Sequence, residues 1–292
     1  MSESRWARVR GALTDGIGEL DSVFTTGPRD AAAIAAREAA AGRRLILALG
    51  GDGTISEVAD GVLSAGAGGT TEIGLIPRGT GGDLRRTLEL PEEVGAAARH
   101  IRDAAARVID AGRVRYRAPD GSEAVRHFIN VASFGFSSAV ATRANASSKR
   151  LGGRIAFIAA TLRVLIAHDN VDVWLSIDGG PRQRRRLLMA AIGNGRFFGG
   201  GMNICPEARL DDGALDLVTV GDYSRTEVVS RIGHLYAGTH LELEEIEGAR
   251  ITRLSVEPVE AEARIPVELD GETPGFLPAT FEVLPGALRL RA

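Results

Sequence analysis

Residues 45–54 read Leu-Ile-Leu-Ala-Leu-Gly-Gly-Asp-Gly-Thr. The five apolar residues predict a short strand that is buried on both faces. Three glycines remove side chains from the turn that follows, so backbone N–H groups can approach a bulky anion. Thr54 and Glu57 have the spacing of a capping box, which predicts that a helix begins at Thr54. Strand, turn and helix N-terminus together predict a phosphate-binding loop.

Asp52 is the unusual residue of this loop, because a carboxylate repels a phosphate unless a cation lies between them. Its presence favours a Mg²⁺–nucleotide site. The alternative is that the turn binds nothing, as is common for glycine turns after strands. The pattern recurs at residues 73–83, which read Ile-Gly-Leu-Ile-Pro-Arg-Gly-Thr-Gly-Gly-Asp. Two such turns at the carboxyl ends of neighbouring parallel strands are expected to line one crevice.

Three common phosphate-binding motifs are absent from the sequence. A P-loop needs Gly-Lys-Ser/Thr, but the only lysine is Lys149, which follows Ser148. A dinucleotide fingerprint beginning at Gly51 needs a glycine at position 56, where the chain has Ser56. The His-Arg-Asp and Asp-Phe-Gly motifs of protein kinases are also missing.

The composition favours a cytoplasmic globular protein. The net charge of −3 over 292 residues is too balanced to suggest a nucleic-acid partner. Cys205 is the only cysteine, which excludes an intramolecular disulfide and fits a reducing compartment. The sequence begins without a signal-peptide pattern, and the most apolar run, Ile155–Ala167, is too short to span a membrane and contains Arg163.

Two domains are predicted. Residues 1–110 alternate helical and strand-like segments, which indicates a parallel sheet with helices on both faces. Residues 111–285 contain short strand-like runs between turn signals, which indicates an antiparallel β domain. In the first domain we expect an N-terminal helix, a strand at Val23–Thr25, a helix at 31–41 with Asp30 as its N-cap, strands at 45–49 and 73–77, and helices at 54–64, 83–89 and 92–107. In the second domain we expect helices near 151–167 and 224–238.

Together, these motifs resemble a known family. Gly-Gly-Asp-Gly-Thr followed by Pro-x-Gly-Thr-Gly-x-Asp is similar to the catalytic domain of diacylglycerol kinases, sphingosine kinases and bacterial lipid kinases. Later segments agree with this resemblance: Asn130–Phe136, Asn194–Gly201, Leu210–Gly213, Leu269–Glu272 and Pro285–Leu288. The resemblance implies a Rossmann-like, doubly wound α/β domain followed by an antiparallel β-sandwich domain. It also implies that residues 286–292 return to the first domain and that the active site lies in the cleft between the domains.

The resemblance implies ATP and Mg²⁺ as cofactors. The nucleotide would contact the two glycine turns and a threonine at the end of the second strand, a place that Thr25 matches. An ordinary strand-end residue is an equally open interpretation of Thr25. The expected nucleotide contacts are Thr25, Gly50, Gly51, Asp52, Gly53, Thr54, Ile55, Ser56, Gly79, Thr80 and Asp83.

Two acidic turns acquire roles through the same resemblance. Related bacterial enzymes bind a structural Mg²⁺ at a position matched by Asp212 and the carbonyls of Arg209 and Ala214. The family's general base matches Glu272, and Asp270 would be its orienting or metal-linked partner. From the residues alone, both segments are also ordinary Asp-Gly turns.

The chain departs from the family at its start and inside both glycine motifs. Relatives begin with an apolar strand and an Asn-Pro-x-Ser-Gly turn that this sequence lacks, and we favour a trimmed or misplaced start as the reason. Ser56 and Gly82 stand where asparagine is usual. Each change removes an amide that could bond backbone or phosphate.

The sequence therefore predicts a lipid kinase of phospholipid metabolism, with diacylglycerol as the default substrate. The alternatives are a degenerate homologue that binds lipid or nucleotide without turnover, and a soluble-substrate kinase of the NAD kinase type. The second glycine motif and the Asp-Gly-Glu turn argue against the latter. A lipid substrate implies peripheral contact with the inner face of the membrane, and a homodimer is left open. Arginines at positions 182 and 184–186 could touch anionic headgroups, although a solvated strand edge is favoured.

Overall fold

The computed structural model describes residues 3–79, 81–146 and 169–292. The chain divides into two compact units. Unit 1 contains residues 1–109 and 286–292, and unit 2 contains residues 110–285. The predicted helix near 151–167 and the predicted nucleotide contact Thr80 lie outside the described residues.

Unit 1 has a parallel sheet at its centre. Strand β2 lies between β1 and the last residues of β15, and it runs parallel to both neighbours. The elements of this unit are α1 (Glu3–Ile17), α2 (Asp30–Ala40), β1 (Leu45–Gly50), α3 (Asp52–Ser64), β2 (Glu72–Pro77), α4 (Asp83–Leu88), α5 (Val94–Asp103) and the end of β15 (Glu272–Arg291).

Both faces of β2 are buried, as expected for a strand of a parallel sheet that helices cover. Ile76 packs in one cluster with Val9 and Leu13 of α1 and with residues of α5. Ile73 and Leu75 alternate to the opposite face and are also buried. The predicted α/β organisation of the first half is therefore confirmed.

The predicted strand at Val23–Thr25 is wrong. These residues have no strand partner in the described part of the chain, and Val23 and Phe24 are 59% and 56% exposed. Phe24 contacts Trp6 edge to face, with 5.1 Å between the ring centroids. Strand β1 consequently has β2 as its one neighbour among the described strands. Residues 45–47 are therefore only half-buried, although the sequence predicted burial on both faces.

Unit 2 is an antiparallel β structure, in agreement with the β-sandwich expectation. Its strands follow the order β12-β11-β8-β5-β14-β15-β13-β6-β7, and β3 connects β4 to β15. Side chains from eleven of these strands share one core that includes Phe128, Phe134 and Phe281. The strands are β3 (Arg107–Arg117), β4 (Glu123–Phe128), β5 (Val131–Gly135), β6 (Val171–Ile177), β7 (Gln183–Leu187), β8 (Met189–Gly193), β11 (Leu215–Val220), β12 (Ile246–Ile251), β13 (Arg253–Pro258), β14 (Pro266–Leu269) and β15.

The remaining elements of unit 2 are short or helical. Strands β9 (Phe197–Phe198) and β10 (Met202–Asn203) form a small hairpin, and a 3₁₀ turn covers His240–Glu242. Helix α6 covers Phe136–Ala146, and helix α7 covers Arg225–Ala237, which confirms the helix predicted near 224–238. No helix in the described ranges has the length and apolar character needed to cross a membrane.

The arginines at positions 182 and 184–186 lie on or next to the edge strand β7, and each has an acidic partner. Arg182 pairs with Glu257 at 2.9 Å, and Arg184 pairs with Asp172 at 3.3 Å. Arg185 and Arg186 pair with acids at 3.7 Å and 3.0 Å. All four side chains are about half exposed, so the geometry is that of a solvated, charge-neutral strand edge.

Candidate active site

The two glycine turns of unit 1 touch each other through their backbones. Because β1 and β2 are parallel and in register, Gly50 and Pro77 end the two strands side by side. The amide of Arg78 donates to the carbonyl of Gly50 at 2.7 Å. A Cβ on Gly79 would lie 2.6 Å from the Cα of Gly51, so a larger residue would force the turns apart. The predicted crevice edge at the carboxyl ends of these strands is therefore built from bare backbone.

Asp52 ties the first turn to the second. Its Oδ2 accepts a hydrogen bond from the amide of Gly82 at 2.8 Å. Gly82 has a φ of 65°, in the left-handed region that favours glycine. A side chain on Gly81 would meet the same carboxylate, since a Cβ there would lie 2.6 Å from Asp52 Oδ2. Asp52 thus has a structural partner in addition to any role near a cation.

Helix α3 begins two residues earlier than predicted. Its first residue is Asp52, Gly51 is the N-cap, and no side chain caps the helix. The amide of Ile55 donates to the carbonyl of Gly51 at 3.1 Å, so it is already satisfied. The first-turn amides of Asp52, Gly53 and Thr54 have no intrahelical acceptor, and such groups are suited to binding an anion. Ile55 and Ser56 of the predicted nucleotide set are instead buried.

The predicted capping box is wrong because Glu57 caps another helix. Its two carboxylate oxygens accept hydrogen bonds from the amides of Arg29 and Ala31, at 3.0 Å and 3.1 Å, at the start of α2. The predicted N-cap Asp30 is the first residue of α2, and its carboxylate accepts from the amide of Thr26 at 2.7 Å. The Glu57 carboxylate of α3 therefore accepts hydrogen bonds from amides at the start of α2 that have no acceptor within α2.

Close packing holds α2 and α3 together around this cap. Asp60, which is 2% exposed, pairs with the guanidinium of Arg29. A Cβ on Gly61 would lie 2.2 Å from the carbonyl oxygen of Ala32, so the helices approach at a glycine. Thr25, five residues before α2, is exposed.

Charges in the second turn are largely paired. Asp83 is 7% exposed, and its Oδ1 accepts from the guanidinium of Arg86 at 2.8 Å. The same guanidinium donates to the carbonyl of Gly81 at 2.5 Å. Arg85 pairs with Glu92 at 2.7 Å. Arg78 is exposed and has no hydrogen-bond or ion-pair partner for its side chain among the described residues.

In unit 2, Asp270 organises the turn between β14 and β15. It has a φ of 49°, and its carboxylate accepts three hydrogen bonds of 3.0 Å from the consecutive amides of Ile129, Asn130 and Val131. Glu268, which is 4% exposed, accepts from Ser133 and from the amide of Gly271. These contacts hold the Asp-Gly-Glu turn rigidly against the start of β5.

Glu272 follows this turn as the first residue of β15. Its side chain is 37% exposed and pairs with Arg126 of β4 at 2.9 Å. The side chain of Arg126 is only 13% exposed, so a mostly buried cation orients a partly exposed carboxylate. Sequence reasoning missed Arg126. The available signal was the position of Arg126, four residues before Asn130 in the run that leads into the Asn130–Phe136 motif.

Hydrogen bonds bring together the separate motifs of unit 2. Asn130 Nδ2 donates to the carbonyl of Phe197 at 2.7 Å. Buried Asn194 donates through Nδ2 to the carbonyls of Ile129 and Asp110, at 2.9 Å and 3.1 Å. The carboxylate of Asp110 in turn accepts from the amide of Gly213 at 2.7 Å. Segments near residues 130, 194, 212 and 270 therefore form one polar network.

The predicted metal turn brings two carboxylates, Asp212 and Asp216, near each other. Asp212 accepts from its neighbour Ala214 at 3.2 Å and pairs with the exposed Arg250 at 2.6 Å. Burial, reinforced by the negative charge of Asp212, raises the pKa of nearby Asp216 to about 6. A turn in which carboxylates crowd one another fits a divalent cation held by oxygen ligands. The described residues contain no cluster of three or more acidic, histidine or cysteine side chains arranged to hold a metal.

Comparison with known proteins gives the family. Residues 1–114 match the model of the diacylglycerol kinase catalytic domain. Residues 130–292 match the YegS C-terminal NAD kinase beta sandwich-like domain, and the two matches together cover most of the chain. The chain belongs to the diacylglycerol kinase catalytic-domain family. This confirms the resemblance inferred from the motifs and assigns the protein to a family of kinases.

Curated relatives and a solved structure agree with this assignment. A "Diacylglycerol kinase" of Mycobacterium tuberculosis is 33% identical over 262 residues, which is 89% of this chain and 81% of the relative. A "Probable lipid kinase YegS-like" of Pseudomonas aeruginosa is 34% identical, with 89% and 80% covered. The crystal structure of a diacylglycerol kinase from Bacillus anthracis superposes with a TM-score of 0.67 at 21% identity, covering 96% of this chain and 87% of that one. At that identity the last similarity supports the fold alone.

Proposed function

We propose that this protein is an ATP- and Mg²⁺-dependent lipid kinase that transfers the γ-phosphate to a lipid hydroxyl. Family membership supports a phosphotransferase, and the printed names of its relatives favour a lipid acceptor. Diacylglycerol is the first substrate to test. The observation that carries the proposal is the pair of touching glycine turns, which leaves the first amides of α3 open beside Asp52.

The nucleotide phosphates are assigned to these turns. Phosphate binding needs several N–H donors at close range, and the bare backbone at Gly51, Gly53 and Gly79 allows that approach. Phosphoryl transfer depends mostly on positioning and on stabilising charge, so a rigid arrangement is an advantage. The bond from Gly82 to Asp52 and the contact between Gly51 and Gly79 provide that rigidity.

Two places are assigned to Mg²⁺. Asp212 with the carbonyls of Arg209 and Ala214 would hold a structural ion, in keeping with the two carboxylates that lie near each other in that turn. Asp52 and Asp83 would face the ion that accompanies ATP. When bound there, Mg²⁺ neutralises phosphate charge and aligns the phosphates for transfer.

Glu272 is assigned as the general base. A lipid hydroxyl is a poor nucleophile until its proton is removed, and a positioned carboxylate accelerates that step. Arg126 fixes the orientation of the Glu272 carboxylate through the 2.9 Å ion pair. Asp270 uses its oxygens to hold the turn, so its assigned role is orientation of the base.

The test is transfer of radiolabelled phosphate from ATP to a panel of lipids presented in mixed micelles. We expect labelled product with at least one lipid, a requirement for Mg²⁺, and a loss of about 10²–10⁴-fold in rate for Glu272→Gln without loss of ATP affinity. Wild-type turnover in Glu272→Gln would remove the base assignment. ATP binding without turnover on any lipid would favour the non-catalytic alternative, in which the chain binds lipid or nucleotide only.

A further inference from the structure

The side chains around the two glycine turns carry a net negative charge, which disfavours the binding of a polyphosphate. Asp83 and Arg86 neutralise each other at 2.8 Å, and Arg85 is neutralised by Glu92 at 2.7 Å. Asp52 has an amide partner but no cationic partner among the described residues. Taken alone, these groups leave one net negative charge where several phosphate charges would bind. Backbone amides and the Mg²⁺ assigned beside Asp52 would offset part of that repulsion, and a cationic side chain would offset more of it.

Arg78 is placed to supply that cation. It is the residue directly after β2, and its amide is bonded to Gly50 in the first turn. Its neighbour Gly79 contacts Gly51, so one residue joins Arg78 to the point where the turns meet. The side chain is exposed and has no partner among the described residues, so binding an anion would break no contact with any of them.

We infer that Arg78 binds the polyphosphate of the nucleotide and is the cationic side chain of the phosphate site. A guanidinium is permanently charged and can donate two parallel hydrogen bonds to phosphate oxygens. The role suits this sequence, whose one lysine, Lys149, lies outside the glycine motifs. The inference rests on the proposed function, because it names a residue that recognises the nucleotide of that site.

The chain contains a matched control for charge. Arg44 immediately precedes β1 and is exposed like Arg78, but it lies at the amino end of the same pair of parallel strands. Its charge acts on Glu72, whose pKa is lowered first by a hydrogen bond from Arg291 and also by Arg44. Arg44→Met removes the same charge from the opposite end of the sheet, so it controls for any general effect of net charge.

The experiment is isothermal titration of the full chain with ATP and with AMP, in Mg²⁺, for wild type, Arg78→Met, Arg78→Lys and Arg44→Met. Loss of a charge-assisted hydrogen bond to phosphate predicts about 10–100-fold weaker ATP binding for Arg78→Met. AMP affinity should fall by less than about threefold, because AMP lacks the β- and γ-phosphates that the guanidinium would bind in ATP. Arg78→Lys should fall between wild type and Arg78→Met, and Arg44→Met should match wild type.

Three results would overturn the inference. They are unchanged ATP affinity in Arg78→Met, an equal loss for ATP and AMP, and an equal loss in Arg44→Met. Each of them, with wild-type ATP binding intact, leaves the proposed function standing. Failure of the wild type to bind either nucleotide would instead overturn the proposed function and this inference together.

Discussion

The fold does not require a glycine at position 53, whereas a phosphate bound at the start of α3 would. Gly53 is the second residue of α3, and a Cβ built on it would meet no atom within 4 Å. Its φ lies outside the left-handed region. The fold therefore gives no reason for a glycine here, in contrast to Gly79, where a Cβ would collide with the backbone of Gly51. If Gly53 serves function, its missing side chain must make room for a ligand.

Gly53→Ala should thus stabilise the protein and weaken nucleotide binding. Replacing a helical glycine by alanine gains about 0.5–1 kcal/mol, since the unfolded chain loses conformational freedom. For a unit of this size, each kcal/mol raises Tm by roughly 4 °C, so the expected rise in Tm is about 2–4 °C. If the added methyl group displaces phosphate from two first-turn amides, about 1.5–3 kcal/mol is lost for each charge-assisted bond. A total near 3 kcal/mol weakens ATP binding by about 100-fold or more.

Thermal denaturation and ATP titration of the same variant test both halves of this prediction. Gly11→Ala is the matched control, because Gly11 is also helical and a Cβ on it would also meet no atom within 4 Å. It should gain stability and bind ATP as the wild type does. Gly53→Val should weaken ATP binding further than Gly53→Ala. Unchanged ATP affinity in both Gly53 variants would falsify the assignment of phosphate to the first turn of α3.

Four further predictions follow from individual contacts. Arg126→Met should lower kcat on the order of tenfold or more, because the Glu272 carboxylate loses its ion-pair partner. Arg113→Met breaks the 2.7 Å pair with Glu282 and should leave kcat unchanged. Equal losses of kcat in the two variants would contradict a positioning role for Arg126. Asp212→Ala should reduce the rise in Tm that Mg²⁺ gives the wild type, and identical Mg²⁺ stabilisation in both proteins would make the turn purely structural. Glu57→Ala should cost about 2–4 kcal/mol in urea unfolding, because two amides of α2 lose their acceptor; a cost below about 1 kcal/mol would count against the shared cap. Burial lowers the pKa of His240, so folding favours the neutral imidazole. The contribution of His240 to the free energy of unfolding is therefore complete above pH 6.5 and is lost as the pH falls below that value. His240→Asn should lose less free energy of unfolding between pH 7 and pH 5 than the wild type.

The glycine turns were readable from sequence because their determinants are contiguous. Five apolar residues, three glycines and the start of a helix occupy ten consecutive positions at 45–54, and the same order recurs at 73–83. Burial of β1 and β2 in one parallel sheet then brings the turns together, since parallel strands end at the same edge. The antiparallel character of the second half was equally local, because short strand-like runs alternate there with turn signals along the sequence, and the structure has strands such as Val171–Ile177 and Leu215–Val220 in that half.

Interactions between distant residues were beyond the reach of sequence patterns. The spacing of Thr54 and Glu57 suited a capping box, yet the carboxylate of Glu57 bonds to amides of α2 that lie 26 and 28 residues earlier. Val23 and Phe24 have strong strand propensity, but a strand also needs a partner for its backbone groups. Only the tertiary structure decides whether that partner is present.

The division between sequence and structure follows from the range of the forces involved. Backbone preferences and apolar runs act over a few residues, so the sequence by itself determined the α/β and β halves, the two glycine turns and the Asp-Gly-Glu turn. Hydrogen bonds and ion pairs are satisfied by whichever group folding brings within about 3 Å. Tertiary structure alone therefore decided that Glu57 caps α2, that Asp52 holds Gly82, and that Arg126 orients Glu272.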